Sequence, residues 1–216
     1  MNAPLRMQAG RLQPVSYAGP SRDPHYHVSV AHTLDDLMQV MAVRAIVYMG
    51  EQACPYDEEY DGNDFAGATQ LILRCGDEPV GVARVRWFAE FAKLERLAIR
   101  PDHRGVPRLL LLAKAAIGLA ERKGYRRLMG HADRRIIPFW SRYFGGRRRE
   151  GRPEVVFSHH GYTELEFTLN PPPNAIGIDS DPMVLLRPEG DWDRPGVLER
   201  SPAWPRFEAA LDRLAS

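Results

Sequence analysis

Lys93-Leu-Glu-Arg-Leu-Ala-Ile-Arg-Pro-Asp-His-Arg-Gly105 runs straight into Val106-Pro-Arg-Leu-Leu-Leu-Leu-Ala113. The first part reads as a short apolar strand, the middle as a polar turn with an Arg-Gly corner, the last as a helix. A strand that feeds a helix through such a turn leaves backbone N–H groups unpaired at the helix N-terminus. Those donors and the helix dipole favour an anion such as a phosphate. Glu95 stands among apolar neighbours on the strand. An anion cradle this close to a strand carboxylate points to an enzyme that holds a phosphorylated ligand.

Outward from that stretch, the pattern gives the rest of the sheet. Residues 25–31 alternate and predict a first strand. Thr33-Leu-Asp-Asp36 is an acidic capping box that opens a helix with Leu37, Val40, Met41, Ile46 and Val47 on its apolar face. Residues 51–68 read as a polar connection. Residues 69–75 and 79–87 flank Gly76-Asp-Glu78 as a hairpin. The helix from Val106 stops at Lys123, before the cap residue Gly124. A short strand (127–131), a helix (134–144) with Pro138 in its first turn, and a basic loop (145–153) follow. Residues 155–169 read as strand segments broken at Gly161, and 182–187 as a last strand. Hairpins first and crossovers later imply an α/β (α+β) fold with a mixed, mostly antiparallel sheet flanked by helices.

The expected organisation is a Pro/Gly/Ser-rich flexible arm at 1–24, one domain at 25–190, and an extension at 191–216. The extension carries an amphipathic helix over 203–215 that packs on its own domain. The 216 residues are enough for one large domain, and 44% apolar with 26% charged residues is ordinary for a globular chain. A net charge of +1 argues against a nucleic-acid binder. No apolar run reaches membrane-spanning length, and the first 24 residues lack the apolar centre of a signal peptide, so no membrane association and a cytoplasmic location are expected. Cys54 and Cys75 are too few for a disulfide framework and fit a reducing compartment.

The element order, with residues 94–105, resembles the acyl-CoA-binding core of the GNAT N-acyltransferase superfamily over about residues 26–188. The family's pyrophosphate loop, Gln/Arg-x-x-Gly-x-Gly/Ala, aligns with Arg104-Gly-Val-Pro-Arg-Leu109. Arg104 matches, whereas Pro107 and Leu109 replace small residues and Pro107 removes one N–H donor. Glu51-Gln-Ala-Cys-Pro-Tyr56 and Tyr60-Asp-Gly-Asn-Asp64 resemble a segment of one small bacterial acetyltransferase branch. The spaced Arg, Glu and Asp are more loosely similar to acyl-homoserine-lactone and N-acyl amino acid synthases.

The resemblance implies acyl transfer from acetyl-CoA or another acyl-CoA to a small-molecule amine or amino acid, with no metal. It places Glu95 as general base; its alternative is cross-strand pairing with Arg84, Arg86 or Arg96. It places the backbone of Leu97, Ala98 and Ile99 along the donor's pantetheine arm. The N–H of Leu97 faces the oxyanion. Arg104, Gly105, Val106, Arg108 and Leu109 form the phosphate loop. The general acid of many relatives is a Tyr where this chain has Trp140, and Tyr143, one turn on, takes that role or is a structural tyrosine. Arg44, Glu51 and Arg84 are expected on the acceptor side, with Asp61 and Asp64 nearby. His131, at a strand end, is a base, an acceptor contact, or a structural histidine. Two alternatives stay open. One is a long-chain synthase fed by an acyl carrier protein, whose acidic surface would meet the basic loop at Arg147–Arg149. The other is a ligand sensor of the same fold without catalysis.

Overall fold

The computed structural model describes residues 25–201 and 213. The expected arm at 1–24 and nearly all of the expected helix at 203–215 lie outside the described residues. No helix among the described residues is long and apolar enough to cross a membrane.

Among the described residues eight strands form one sheet: β1 (Tyr26–Val30), β2 (Ala68–Cys75), β3 (Glu78–Trp87), β4 (Ala92–Ile99), β5 (Arg127–Asp133), β6 (Arg147–Arg148), β7 (Val155–Phe157) and β8 (His160–Thr168). The spatial order is β1-β2-β3-β4-β5-β8-β6, with β7 also on β8. Only β4 and β5 run parallel; every other pairing is antiparallel. This is the mixed, mostly antiparallel sheet that the sequence pattern implies.

Helices cover both faces. α1 (Leu34–Arg44) starts at the Thr33–Asp36 capping box and continues into a π-helix, Ala45–Glu51. Val40, Val43 and Val47 pack there on Ile72, Val82 and Ala98. On the other face α3 (Val106–Arg122) sets Leu112, Ala113, Ala116 and Leu119 against Leu71, Leu73, Val80 and Val85. The sheet is thus apolar on both faces at its centre, as a sheet layered between helices must be. The chain beyond β8 runs back along α3: Ile176 donates to the Arg122 carbonyl and Trp192 is buried in the α3-side core.

Two expectations about local structure are corrected. Residues 182–187 are not a strand. Asp181 caps a short helix, α5 (Pro182–Leu185), with its carboxylate accepting from the Met183 N–H and Pro182 in the first turn. An Asp cap followed by Pro outweighs the β-propensity of Val184. The break expected at Gly161 falls instead at Ser158 and His159, both with left-handed φ, which turn β7 into β8. The connection at 51–68 contains one further turn of helix, α2 (Tyr56–Glu59), and helix α4 (Ile137–Phe144) carries Pro138 in its first turn.

Candidate active site

β4 and β5 pair only from Ala92 to Leu94, against Leu128 to Gly130, and then part. The cause lies at Arg96. Its φ of 52° is left-handed, and the register of β4 on β3 shifts between Val82 and Arg84. A bulge of this kind bends one strand away from its neighbour. Gly130 sits where the strands separate, and a Cβ there would lie 3.2 Å from the Leu94 carbonyl oxygen.

The parting opens a cavity of about 790 Å³ lined by β4 from Lys93 to Ile99 and by β5 from Gly130 to Asp133. Strand alternation gives it two chemically different walls. Glu95, His131 and Tyr162 line a polar side, together with Tyr48 of the π-helix. Leu109, Trp140, Leu165 and Phe167 line an apolar side within the α3-side core.

Glu95 faces this cavity and is also ion-paired. Arg84 Nη2 and Lys93 Nζ each lie 3.0 Å from its carboxylate, and Arg86 Nε lies at 3.8 Å. Both sequence readings of Glu95 are therefore present in one side chain. His131, half-buried, lies 3.7 Å from Glu164 and meets the edge of Phe157. Burial, then the charge of Lys93, holds its pKa below the ordinary histidine value. Neutral imidazole is thus the form present at pH 7.

Leu97, Ala98 and Ile99 line the cavity with their strand partner β5 withdrawn. Tyr48 donates its hydroxyl to the Leu97 carbonyl at 2.9 Å. Burial, then the Glu59 charge, pushes the Tyr48 phenol upward, so the hydroxyl keeps its donor proton. Gly105 turns the chain into α3 with φ 144°, a conformation that favours glycine, and no side chain caps the helix. Val106 and Leu109 also line the cavity.

The structure corrects four placements. Tyr143 is 44% exposed, meets the Phe139 ring at a tilt with centroids 5.2 Å apart, and lies outside the cavity. Ile137, Trp140 and Phe144 form the inward stripe of α4, and Tyr143 lies beside that stripe. Arg108 lies outside as well: its guanidinium covers the Tyr26 ring at 4.9 Å, toward β1. Arg44 and Arg84 are fully buried and do not line the cavity. Arg44 bonds Glu59 at 2.5 Å and also Asp64; Arg84 bonds Asp61 at 2.7 and 2.8 Å and Asp64 at 2.9 Å. Arg96 closes the network onto the Glu58 carbonyl at 2.6 Å and Asp61 at 3.2 Å. The acidic stretch 58–64 is thus the counter-charge of three arginines, and it fixes the bulge residue.

Glu51 and Arg104 both reach the cavity, but they meet each other. Arg104 donates through Nη1 to Glu51 at 2.7 Å and through Nη2 to its other oxygen, while its Nε bonds the Ile99 carbonyl at 3.0 Å. Sequence reasoning missed Tyr48, Gly130 and Tyr162, and gave Arg96 only as a cross-strand partner for Glu95. Nothing in the sequence marks Arg96 as a bulge, since the left-handed residue is not a glycine.

No protein-family model matches the chain. The chain is similar to YjcF of Bacillus subtilis, named an uncharacterized N-acetyltransferase, at 26% identity over 53% of this chain and 81% of YjcF. A second Bacillus subtilis protein, named as a candidate acetyltransferase, is 39% identical over 32% of this chain; the match spans about half of that relative, 48%. Among solved structures, an acyl-CoA N-acyltransferase from Pseudomonas aeruginosa has the same fold. It covers 66% of this chain and 99% of its own, with a TM-score of 0.60 and 19% identity.

Proposed function

We propose that the chain is a GNAT-type N-acyltransferase that moves an acyl group from acyl-CoA to the amine of a small molecule, a reading supported by its likeness to proteins named N-acetyltransferases and by the shared fold. The observation that carries the reading is the parting of β4 and β5. It leaves Leu97–Ile99 without a β5 partner, their outer carbonyls held by Tyr48 and Arg104, beside a glycine-cornered helix N-terminus and a polar wall. A strand edge without its neighbour suits the amide-rich pantetheine arm, which adds to a sheet edge as a peptide would. The uncapped first turn of α3 suits the donor's phosphates.

In this reading the Leu97 peptide is held still by Tyr48, and a fixed backbone N–H on this strand stabilises the developing oxyanion. His131 accepts the amine proton. Burial keeps it neutral, which is the state a base requires. Glu95, bound at 3.0 Å by Arg84 and Lys93, sets the charge of the acceptor wall rather than taking the proton. The test is incubation of the chain with acetyl-CoA and a panel of amines and amino acids, read by released thiol and by product mass. A product heavier by one acyl group supports the reading. Absence of both binding and thiol release across the panel defeats it.

A second reading concerns the acyl group. Trp140, Leu165 and Phe167 give the cavity an apolar end. Apolar chambers of this sort take apolar ligands. Medium or long acyl donors fit that end better, and a series of acyl-CoA lengths in the same assay separates the two.

A further inference from the structure

We propose that the acceptor carries a carboxylate, recognised by Lys93, so that its class is an amino acid rather than a simple amine; the inference rests on the acyl-transfer reading above. The polar wall is short of negative charge. Arg86 on β3 and Lys93 on β4 stand directly opposite each other, a like-charge pairing that is unfavourable without a counter-charge. Among the described residues their shared ion partner is Glu95, at 3.8 and 3.0 Å. The same carboxylate also takes Arg84 at 3.0 Å. Arg84 has Asp61 and Asp64 besides, whereas Arg86 and Lys93 have no second carboxylate among the described residues. Arg86 Nε is buried there without a hydrogen-bond partner.

The other carboxylates near the cavity do not make up the shortfall. Glu51 is held by Arg104, Glu59 by Arg44 and Asp133 by Arg135. Glu58 accepts the Ser158 N–H at 3.0 Å. Glu164, opposite His131 on β8, is taken by Arg149 at 2.6 Å.

Lys93 lines the cavity at the reacting end. After burial, its charge is the largest influence on His131, ahead of Glu164 and of Glu95. A cation in that place disfavours an incoming ammonium and favours the free amine that attacks the thioester. It also attracts a carboxylate. A lysine ammonium has three N–H donors, and the single contact to Glu95 does not exhaust them. An amino acid meets both conditions at once. Its amine faces His131, and its carboxylate takes the donors of Lys93 that Glu95 leaves over, with Arg86 adding positive charge behind.

The experiment measures kcat/KM for matched acceptors in the alanine, leucine and phenylalanine series: the amino acid, its amide, and its decarboxylated amine. Acetyl-CoA and octanoyl-CoA serve as donors. The amide keeps the amine and loses the negative charge. The expected result is that wild type prefers the amino acid over its amide by ~10-fold or more in at least one series, and that Lys93→Gln brings that ratio to about one. Loss of Lys93 also raises His131, but it does so for every acceptor alike, so the ratio isolates recognition of the carboxylate. A wild-type preference for the amide or the amine in every series, or an unchanged ratio in Lys93→Gln, overturns the inference and leaves acyl transfer standing. A wild-type protein that releases thiol with no acceptor of any series overturns the acyl-transfer reading itself, and this inference with it.

Discussion

Glu51 and Arg104 form a two-pronged carboxylate–guanidinium pair that ties the end of the π-helix to the turn before α3. The pair sets a cation committed to protein at the place where donor phosphates would arrive. Arg104→Ala removes that cation and the bond to the Ile99 carbonyl, so donor affinity falls with turnover less affected. Glu51→Gln weakens the competing partner, so donor affinity rises. Calorimetry with coenzyme A checks both, and a weaker affinity in Glu51→Gln would show that the pair supports the donor site rather than competing with it.

The same pair has a pH dependence of known sign. Hydrogen bonding from Arg104 holds the Glu51 carboxyl below its ordinary value. A lowered carboxyl contributes above the ordinary carboxylate value and is lost as pH falls through its folded value. Both side chains are partly exposed, so the contribution is ~0–1 kcal/mol. Donor affinity of the wild type should therefore show no titration from this pair between pH 6 and 8 (the range of the assay, ~2 units above the carboxylate value).

The buried network predicts a stability loss. Arg44→Ala leaves Glu59 and Asp64 buried without their main cation, a change that typically costs about 3–5 kcal/mol. Burial opposes ionisation of Asp61 and Asp64, yet hydrogen bonds from Arg84 and Arg44 hold both carboxyls low. Their contribution is present above ordinary carboxylate values and disappears as pH falls through the folded ones. Urea titrations of wild type and variant at neutral and acidic pH measure this, and the difference between them should narrow in acid.

His131 predicts the acidic limb of the rate profile. Because burial lowers its pKa, kcat/KM should stay level down through pH 6.5, the unperturbed value, and fall below it. His131→Asn should remove that limb and reduce kcat by ~10²-fold or more. Glu95→Gln should lower kcat less, because Glu95 is already held by Arg84 and Lys93. The reverse ranking would return the base role to Glu95.

Gly105 predicts a backbone effect. At φ 144° any side chain is strained, and a Cβ would sit 3.3 Å from Arg108 Nη1. Gly105→Ala should cost ~1–3 kcal/mol in denaturant titration and weaken coenzyme A binding.

Residues 93–113 were legible because strand, turn and helix are all local patterns there. Apolar alternation, an Arg-Gly corner and a periodic helix settle them without distant contacts. The hairpin at Gly76 was legible for the same reason. The parting of β4 from β5 was not, because it depends on a left-handed Arg96 held by carbonyl and carboxylate groups of residues 58–61. Such long-range pairing leaves no local mark. Arg44 and Arg84 were expected at the acceptor side because charge alone does not say which side of a helix or strand is covered. A position one turn on from Trp140 does not make Tyr143 inward, because Ile137, Trp140 and Phe144 define the inward stripe of α4. Glu95 was read in both of its roles, facing a cavity and pairing across strands, and the sequence alone did not choose between them.

The central claim is that the parted strands receive an acyl-CoA. Calorimetric titration of the chain with a non-hydrolysable thioether analogue of acyl-CoA, in acetyl and longer-chain forms, tests it most directly. Saturable binding at one site per chain, competed by free coenzyme A and weakened by Arg104→Ala, is the expected result. No heat of binding with either analogue or with free coenzyme A would contradict it.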